Sequence, residues 1–214
     1  MKTKYGFGKI EIITGPMFAG KSEELIRRIK RLMIAGLKVQ VFKPAIDIRY
    51  SIDCISSHNQ MMIKAIPVSS TREIIDNLQK DTEIIGIDEV QFLDSYIVEF
   101  LEKWACSGKV AIAAGLDLDF KGEPFFFSDK KMTIAELICR ADNVLKLSAI
   151  CVYKENGKIC GAEASRSQRL INGQPASYHS PLVMVSASEL YEPRCRKHHI
   201  VPDKPESLQL KFDF

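Results

Sequence analysis

The sequence predicts an α/β fold, in which helices cover both faces of a mostly parallel sheet, followed by a smaller second domain. Three observations support this. Apolar runs typical of buried strands alternate with segments of helical periodicity as far as Ile150. The first strand and helix enclose a complete phosphate-loop pattern from Gly15 to Ser22. From Cys151 onward the chain is rich in Ser, Gly, Asn and Pro. We therefore predict an α/β domain over residues 1–150 and a second domain over residues 151–214.

The elements of the first domain are predicted in chain order from their hydrophobic periods. The strands are expected at 10–14, 38–44, 82–87, 109–116 and 144–150. The helices are expected at 22–35, 71–80, 94–107 and 132–141, the first ending at Gly36. The polar stretch 45–59 is predicted to be a surface loop. Helical spacing predicts a buried face for the third helix, formed by Tyr96, Ile97, Phe100, Leu101 and Trp104.

Composition limits the partners that the chain is expected to have. The 214 residues carry a net charge of +3 with 27% charged residues, which argues for neither a nucleic-acid nor a membrane partner. The first residues are basic but no apolar signal-peptide core follows them, and no run approaches the roughly 20 apolar residues of a membrane span. We expect a cytoplasmic protein without a membrane anchor.

The segment from Gly15 to Ser22 reads G-x-x-x-x-G-K-S and follows an apolar strand-like run. In this pattern the backbone N–H groups of the loop face the phosphates of a nucleotide, and the lysine, here Lys21, reaches the terminal oxygens. The hydroxyl of Ser22 is then a magnesium ligand. The sequence therefore predicts a site for ATP or GTP with Mg²⁺.

A second chemical motif is the acidic pair Asp88-Glu89 at the end of the strand expected at 82–87. An aspartate in this position of a phosphate-loop protein holds Mg²⁺, directly or through water. The adjacent Glu89 is then suited to take a proton from an attacking oxygen, which belongs either to water or to a substrate hydroxyl.

Two further features each allow two interpretations. Arg49, in the polar loop, either reaches a phosphate or is a solvated surface arginine. The segment 117–127 holds four of the 11 phenylalanines of the chain. Its rings either stack on a planar base or simply pack the loop onto the core.

The cysteines divide into two groups. Cys151-x8-Cys160 and Cys195-x2-His198 form two pairs that suit a tetrahedral structural Zn²⁺, with His199 as an alternative ligand. Metal binding would supply folding energy to a segment that has little apolar content. The other three, Cys54, Cys106 and Cys139, are expected to be small buried hydrophobic residues.

Four stretches together resemble the zinc-containing, type II thymidine kinases. They are Gly15–Ser22, Asp88–Phe92, Cys160-Gly161 with Gln168-Arg169, and Tyr191–His198. The resemblance implies transfer of the γ-phosphoryl of ATP to the 5′-hydroxyl of thymidine, with Mg²⁺. It also implies a cytosolic homotetramer under feedback inhibition by dTTP. The fold implied is a RecA-like P-loop domain, joined to a zinc domain from which a lasso loop covers the nucleoside.

The same resemblance implies roles for individual positions. Glu89 corresponds to the general base and Asp88 to the magnesium-linked carboxylate. The implied ATP-binding positions are Gly15, Pro16, Met17, Phe18, Ala19, Gly20, Lys21, Ser22, Asp47, Ile48, Arg49, Asp88 and Gln91. The implied thymidine-binding positions are Met17, Phe92, Leu116, Phe120, Phe125, Ser167, Val183, Met184, Val185, Ser186, Ala187 and Tyr191.

One feature departs from the family pattern. The first pair of zinc ligands, Cys151 and Cys160, is separated by eight residues where the family usually has C-x-x-C. The insert 153–158 is interpreted as a longer turn between the two ligands.

Two rival functions fit part of the sequence. A nucleic-acid-dependent ATPase would use Glu89 to activate water, but the near-balanced charge and the lack of a basic stripe with interspersed aromatic residues argue against it. A regulatory nucleotide-binding protein without catalysis would not need Glu89 at all.

Overall fold

The computed structural model describes residues 7–46, 54–56, 62–182 and 189–205, with backbone alone at 54–56 and Glu189. The strands are β1 (Lys9–Thr14), β2 (Val39–Pro44), β3 (Cys54–Ser56), β4 (Met62–Lys64), β5 (Ile66–Val68), β6 (Ile84–Ile87), β7 (Val110–Gly115), β8 (Asn143–Lys146), β9 (Ala149–Ile150), β10 (Lys154–Glu155), β11 (Lys158–Ile159), β12 (Glu163–Ala164), β13 (Arg166–Ile171), β14 (Gln174–Pro175) and β15 (Glu189–Arg194). The α-helices are α1 (Lys21–Ile34), α2 (Thr71–Asn77), α3 (Tyr96–Cys106) and α4 (Ile134–Arg140).

The main sheet has the strand order β5-β2-β6-β7-β1-β8, and every pairing within it is parallel. The predicted α/β class is therefore confirmed. Because the strands are parallel, the carboxyl ends of β1, β6 and β7 lie at one edge. That edge brings the phosphate loop after β1 next to the acidic pair after β6.

Two apolar layers cover the sheet. On one face, α1 buries Leu25, Ile26 and Ile29 completely. On the other face, α3 and α4 contribute residues such as Leu101 and Leu137. Each side chain of this kind stabilises the fold by about 1.5–3 kcal/mol when it is fully buried. The two layers make the sheet edge a rigid platform for the site.

Several predictions about individual side chains were wrong. Tyr96, expected in the core, is 62% exposed, because it is the first residue of α3 and lies beyond the helix face that packs on the sheet. Cys106 and Cys139, expected to be buried, are exposed on α3 and α4. The side chain of Cys54 lies outside the described residues. Short helices bury one narrow face, and sequence spacing located that face to within about one residue.

Several strands were not predicted from sequence periodicity. β3, within the polar stretch predicted as a loop, pairs antiparallel with β4, which follows that stretch, and β5 adds a strand to the main sheet beside β2. The single strand expected at 144–150 is two strands. Its first part, β8, pairs with β1 in the main sheet, whereas β9 pairs antiparallel with β12.

The segment after β9 consists of small antiparallel sheets. The largest has the order β14-β13-β15, with Arg169 opposite Tyr191. The hairpin β10–β11 turns at Asn156-Gly157, where both residues have positive φ, of 51° and 79°. This two-residue Asn-Gly turn matches the twist of an antiparallel pair. Within the described ranges, no helix is both long enough and apolar enough to cross a membrane.

Candidate active site

The phosphate loop joins β1 to α1 at the carboxyl edge of the sheet. Gly15 has φ 136°, and a Cβ there would lie 2.3 Å from the carbonyl oxygen of Leu147. Glycine is therefore required at this position. Lys21 is buried, and its Nζ donates to the carbonyl oxygen of Pro16 at 2.8 Å. The lysine thus lies over the loop, and α1, with 14 residues, directs its N-terminus at the same space.

The acidic pair follows β6 directly and contacts the phosphate loop. The hydroxyl of Ser22 donates to Oδ2 of Asp88 at 2.8 Å. Burial of Asp88, together with the adjacent charge of Glu89, raises the pKa of Asp88 to about 7. Hydroxyl and carboxylate oxygens are the ligands that Mg²⁺ prefers. The two predicted magnesium ligands are therefore neighbours with suitable chemistry.

Glu89 is held in an unusual conformation by a buried network. Its backbone is left-handed, with φ 46° and ψ 44°, which costs about 1–3 kcal/mol for a residue other than glycine. Its Oε2 accepts a hydrogen bond from Nε2 of the fully buried Gln91 at 2.6 Å. Oε1 of Gln91 in turn accepts from the backbone N–H of Leu116 at 3.0 Å. The carboxylate of Glu89 is thereby tied to the end of β7, a connection that the sequence did not reveal.

Gly115 makes room for this network, so we expect Gly115→Ala to disturb it. A Cβ at Gly115 would lie 2.4 Å from Oε1 of Gln91 and 3.0 Å from Cγ1 of Val90. We expect a loss of about 1–3 kcal/mol in the free energy of unfolding and a decrease of about tenfold in kcat, because Glu89 is displaced. Denaturant unfolding and steady-state kinetics measure the two effects.

The matched control is Gly86→Ala, on the neighbouring buried strand. A Cβ at Gly86 would lie 2.9 Å from Cδ1 of Ile29, the end of a flexible side chain that belongs to the α1 layer and not to the Gln91 network. This variant should lose stability but keep the wild-type kcat. An unchanged kcat in Gly115→Ala would contradict a role for the Gln91 network in holding Glu89.

The aromatic and apolar residues expected around a nucleobase and described by the structure lie in two places. Leu116 and Phe125 belong to the core beneath the sheet edge, and Met17 and Phe92 pack against the same core. The rings of Phe92 and Phe125 meet edge to face with their centroids 5.6 Å apart. Phe120, also buried, instead lies against the second module, the small sheets that follow β8. Met17 of the phosphate loop thus packs against the same core as Phe92, Leu116 and Phe125.

For most of the Phe-rich segment 117–127, the structure shows whether the rings pack onto the core. Phe125 and Phe127 are core residues, as the packing interpretation predicted. Phe126 points outward and is 44% exposed. Phe120 is 3% exposed, and the cationic groups of Lys121 and Arg169 lie 5.7 and 5.2 Å from the centroid of its ring.

Ser167 connects the second module to the phosphate loop. Its hydroxyl accepts a hydrogen bond from the backbone N–H of Met17 at 3.0 Å. Tyr191 lies on the adjacent strand, opposite Arg169. The remaining predicted positions, Asp47, Ile48, Arg49 and the run Val183, Met184, Val185, Ser186 and Ala187, lie outside the described residues.

The four predicted zinc ligands come together in one cluster. The ligand atoms of Cys151, Cys160, Cys195 and His198 all lie within 4.8 Å of one another. Nδ1 of His198 is 3.4 Å from Sγ of Cys195 and 3.7 Å from Sγ of Cys151. Zn–S bonds of about 2.3 Å and Zn–N bonds of about 2.0 Å in a tetrahedron give ligand separations of this size. The set therefore fits Zn²⁺.

The alternative ligand, His199, is directed elsewhere. Its Nε2 lies 2.8 Å from the carbonyl oxygen of Phe120.

The wide spacing of the first cysteine pair is accommodated by the β10–β11 hairpin. The N–H of Cys160 donates to the carbonyl of Tyr153 at 2.8 Å, which closes the insert at its base. The ring of Tyr153 stacks on His198 with centroids 4.4 Å apart. The insert thus covers the cluster and leaves it intact.

The small apolar core that includes Cys151 also contacts the phosphate loop. This core consists of Ala149, Cys151 and Ala164, and Ala19 of the loop packs against it. Together with the Ser167–Met17 hydrogen bond, this contact joins the second module to the nucleotide site. A change in the cluster is therefore expected to reach the phosphate loop.

Comparison with known proteins identifies one family. The family model described as Thymidine kinase matches residues 8–199. Among solved structures, the chain is similar to the flagellar accessory protein FlaH from Methanocaldococcus jannaschii, with 13% identity and a TM-score of 0.44, covering 72% of this chain and 76% of that one. It is also similar to a second solved structure, described as an ATPase domain, with 14% identity and a TM-score of 0.41, covering 87% of this chain and 82% of that one.

Proposed function

The chain belongs to the thymidine kinase family, and from this premise we propose that it transfers the γ-phosphoryl group of ATP to the 5′-hydroxyl of thymidine, forming dTMP. The observation that carries the proposal is the placement of Glu89, a carboxylate adjacent to Asp88 and the phosphate loop and held by Gln91. Such a reaction would serve nucleoside salvage for DNA synthesis.

A hydroxyl acceptor explains why a second carboxylate is present. The acceptor proton must leave during transfer, and a positioned base accelerates such a step about 10²–10⁴-fold. An acceptor that is already anionic, such as a nucleoside monophosphate, would need no base. Glu89 is therefore proposed to accept the proton of the 5′-hydroxyl as the oxygen attacks the γ-phosphorus.

The phosphate loop, Gly15 to Ser22, is proposed to bind the phosphates of ATP. Lys21 would leave the carbonyl of Pro16 to bind the terminal phosphate oxygens, and the loop N–H groups would bind the others. Ser22 and Asp88 would hold Mg²⁺, which supplies charge neutralisation on the transferred group. Asp47, Ile48, Arg49 and Gln91 are proposed to complete this side of the site.

The nucleoside is proposed to lie between the phosphate loop and the second module. Its base would contact Met17, Phe92, Leu116, Phe120 and Phe125, with Ser167 nearby and Tyr191 at the sugar. The backbone of 183–187 would pair with the base edge. A wrong base would leave such buried polar groups unpaired, at about 1–3 kcal/mol each.

A homotetramer and feedback inhibition by dTTP are proposed on the family resemblance alone. A cytoplasmic location, no nucleic-acid partner and a division into domains at residues 150 and 151 are proposed also from composition and charge. Zn²⁺ is proposed to have a structural role in the second domain, residues 151–214.

A phosphotransfer assay with the four deoxynucleosides tests the proposal. We expect ADP release to require thymidine and dTMP to accumulate in equal amount. Single-stranded and double-stranded DNA, added separately without nucleoside, should produce no ADP release. ADP release that depends on DNA and ignores thymidine would instead identify a nucleic-acid-dependent ATPase.

A further inference from the structure

Arg169 is the largest side chain that the structure buries completely. Removing a guanidinium group from water is costly, and a buried charge by itself is weak evidence for stability. The contacts of a buried arginine therefore indicate what it does. Arg169 lies in the middle of β13, so its backbone position is fixed by the strands on both sides.

The side chain of Arg169 contacts both the Pro181 segment and the Phe-rich loop, which lie outside its own sheet. Nη1 donates a hydrogen bond to the carbonyl oxygen of Pro181. The guanidinium carbon lies 5.2 Å from the centroid of the Phe120 ring, within the range of a cation–π contact. One rigid, planar group thus joins the Phe-rich loop after β7 to the stretch that ends at residue 182.

Further contacts hold the backbone of this loop. The carbonyl oxygen of Phe120 faces Nε2 of His199, and the carbonyl of Lys121 accepts from Nζ of Lys204 at 2.6 Å. Asp119 closes the turn by accepting from the N–H groups of Lys121 and Glu123. Of the two cations near the Phe120 ring, Lys121 belongs to the same loop, so Arg169 is the one that ties the ring to another element.

We propose that Arg169 is a positioning residue for the nucleoside, because it fixes the ring of Phe120 relative to the backbone at Pro181. The inference rests on the proposed function, in which Phe120 lines the thymine site. Arg169 itself does not take part in phosphoryl transfer. The phosphate loop, Asp88 and Glu89 are held by other contacts, so losing the guanidinium should weaken nucleoside binding more than the chemical step.

The test compares Arg169→Met and Arg169→Lys with wild type in steady-state kinetics. Methionine keeps much of the length but removes the hydrogen bond and the charge. We expect Arg169→Met to raise KM for thymidine at least about tenfold, with KM for ATP within about twofold and kcat within about threefold of wild type. Lysine keeps the charge without the planar fork, so its KM for thymidine should be intermediate.

Arg194→Lys and Arg194→Met are the matched controls. Arg194 is also a buried arginine, on the adjacent strand β15, with its guanidinium carbon 4.6 Å from the centroid of the Tyr153 ring. It pairs with Glu192 instead of Pro181 and contacts the ring beside the metal cluster. These variants should keep KM for thymidine within about twofold of the wild-type value. An equal increase in both arginine series would show general damage to the module and would overturn the proposal.

A double-mutant cycle shows whether Arg169 acts through Phe120. If it does, Arg169→Met combined with Phe120→Leu should raise KM for thymidine by little more than the larger single change. If the two single-variant increases in KM for thymidine multiply in the double variant, the two residues act independently. That result would overturn the proposed mechanism.

A measurement without substrate separates this proposal from the proposed function. Hydrogen exchange of the peptides 117–125 and 176–182 should be at least about threefold faster in Arg169→Met than in wild type and unchanged in Arg194→Met. This result would support the positioning role even if thymidine proved not to be the substrate. Unchanged exchange in Arg169→Met would overturn the positioning role. If Arg169→Met is insoluble, a wild-type KM for thymidine in folded Arg169→Lys would overturn it instead.

Discussion

Replacing Glu89 with glutamine is expected to lower kcat at least about 100-fold, because the proposed base loses its ability to accept a proton. The change is nearly isosteric, and the side-chain oxygen of glutamine can still accept the hydrogen bond from Gln91. Lys21, Ser22 and Asp88 are unaltered, so ATP should bind with about the wild-type affinity. Single-turnover kinetics and equilibrium titration with a fluorescent ATP analogue measure the two properties.

Glu102→Gln provides the control for the charge change. Glu102 lies on α3, where it forms an ion pair with Arg140, and it belongs neither to the acidic pair nor to the Gln91 network. This variant should retain the wild-type rate. A near-wild-type rate in Glu89→Gln would exclude Glu89 as the base, and it would favour a nucleotide-binding protein in which the carboxylate has another role.

Loss of the metal cluster is expected to have the second large effect. We expect dialysed protein to contain one zinc per chain and Cys195→Ser to lose it, with a decrease of more than about 5 °C in Tm. The physical reason is the small size of the apolar core at these ligands. Among the described residues its buried members are only Ala149, Cys151 and Ala164. Burial on that scale cannot replace metal binding. Elemental analysis and thermal unfolding provide the measurements.

The same variant should also weaken ATP binding, because the module contacts the phosphate loop through Ala19 and Ser167. Cys106→Ser is the matched control, since Cys106 is exposed and outside the cluster. It should keep both its zinc and its Tm. Wild-type protein without zinc, or full zinc content in Cys195→Ser, would refute a structural zinc site at these four residues.

Local chemistry explains which parts of the site could be predicted. The phosphate loop was recognisable because its glycines, lysine and serine act on one ligand from consecutive positions. The acidic pair was recognisable because a buried strand leads directly into it. The zinc ligands were identified as a set, although spacing left His198 and His199 as alternatives. The hydrogen-bonding distance between His199 and the Phe120 carbonyl excluded His199 only once the two parts of the chain were packed together.

Other features depend on contacts between residues that are far apart in the chain. Gln91 bonds Glu89 locally, but it also meets the N–H of Leu116, which requires β6 and β7 to be neighbours in the sheet. Ser167 meets Met17 across 150 residues. The exposure of Tyr96 and Cys106 depends on which narrow face of α3 the sheet covers. No local pattern encodes these outcomes.

The sequence by itself determined the α/β class, the phosphate-loop motif with its acidic pair, and the candidate metal ligands apart from the choice between His198 and His199, because each depends on short-range spacing and residue chemistry. Only the tertiary structure decided how the parts cooperate. It buried Arg169 between Phe120 and Pro181, tied Glu89 to β7 through Gln91, and placed the metal cluster against the phosphate loop. These are long-range contacts whose energies depend on packing and burial, which emerge only when the whole chain has folded.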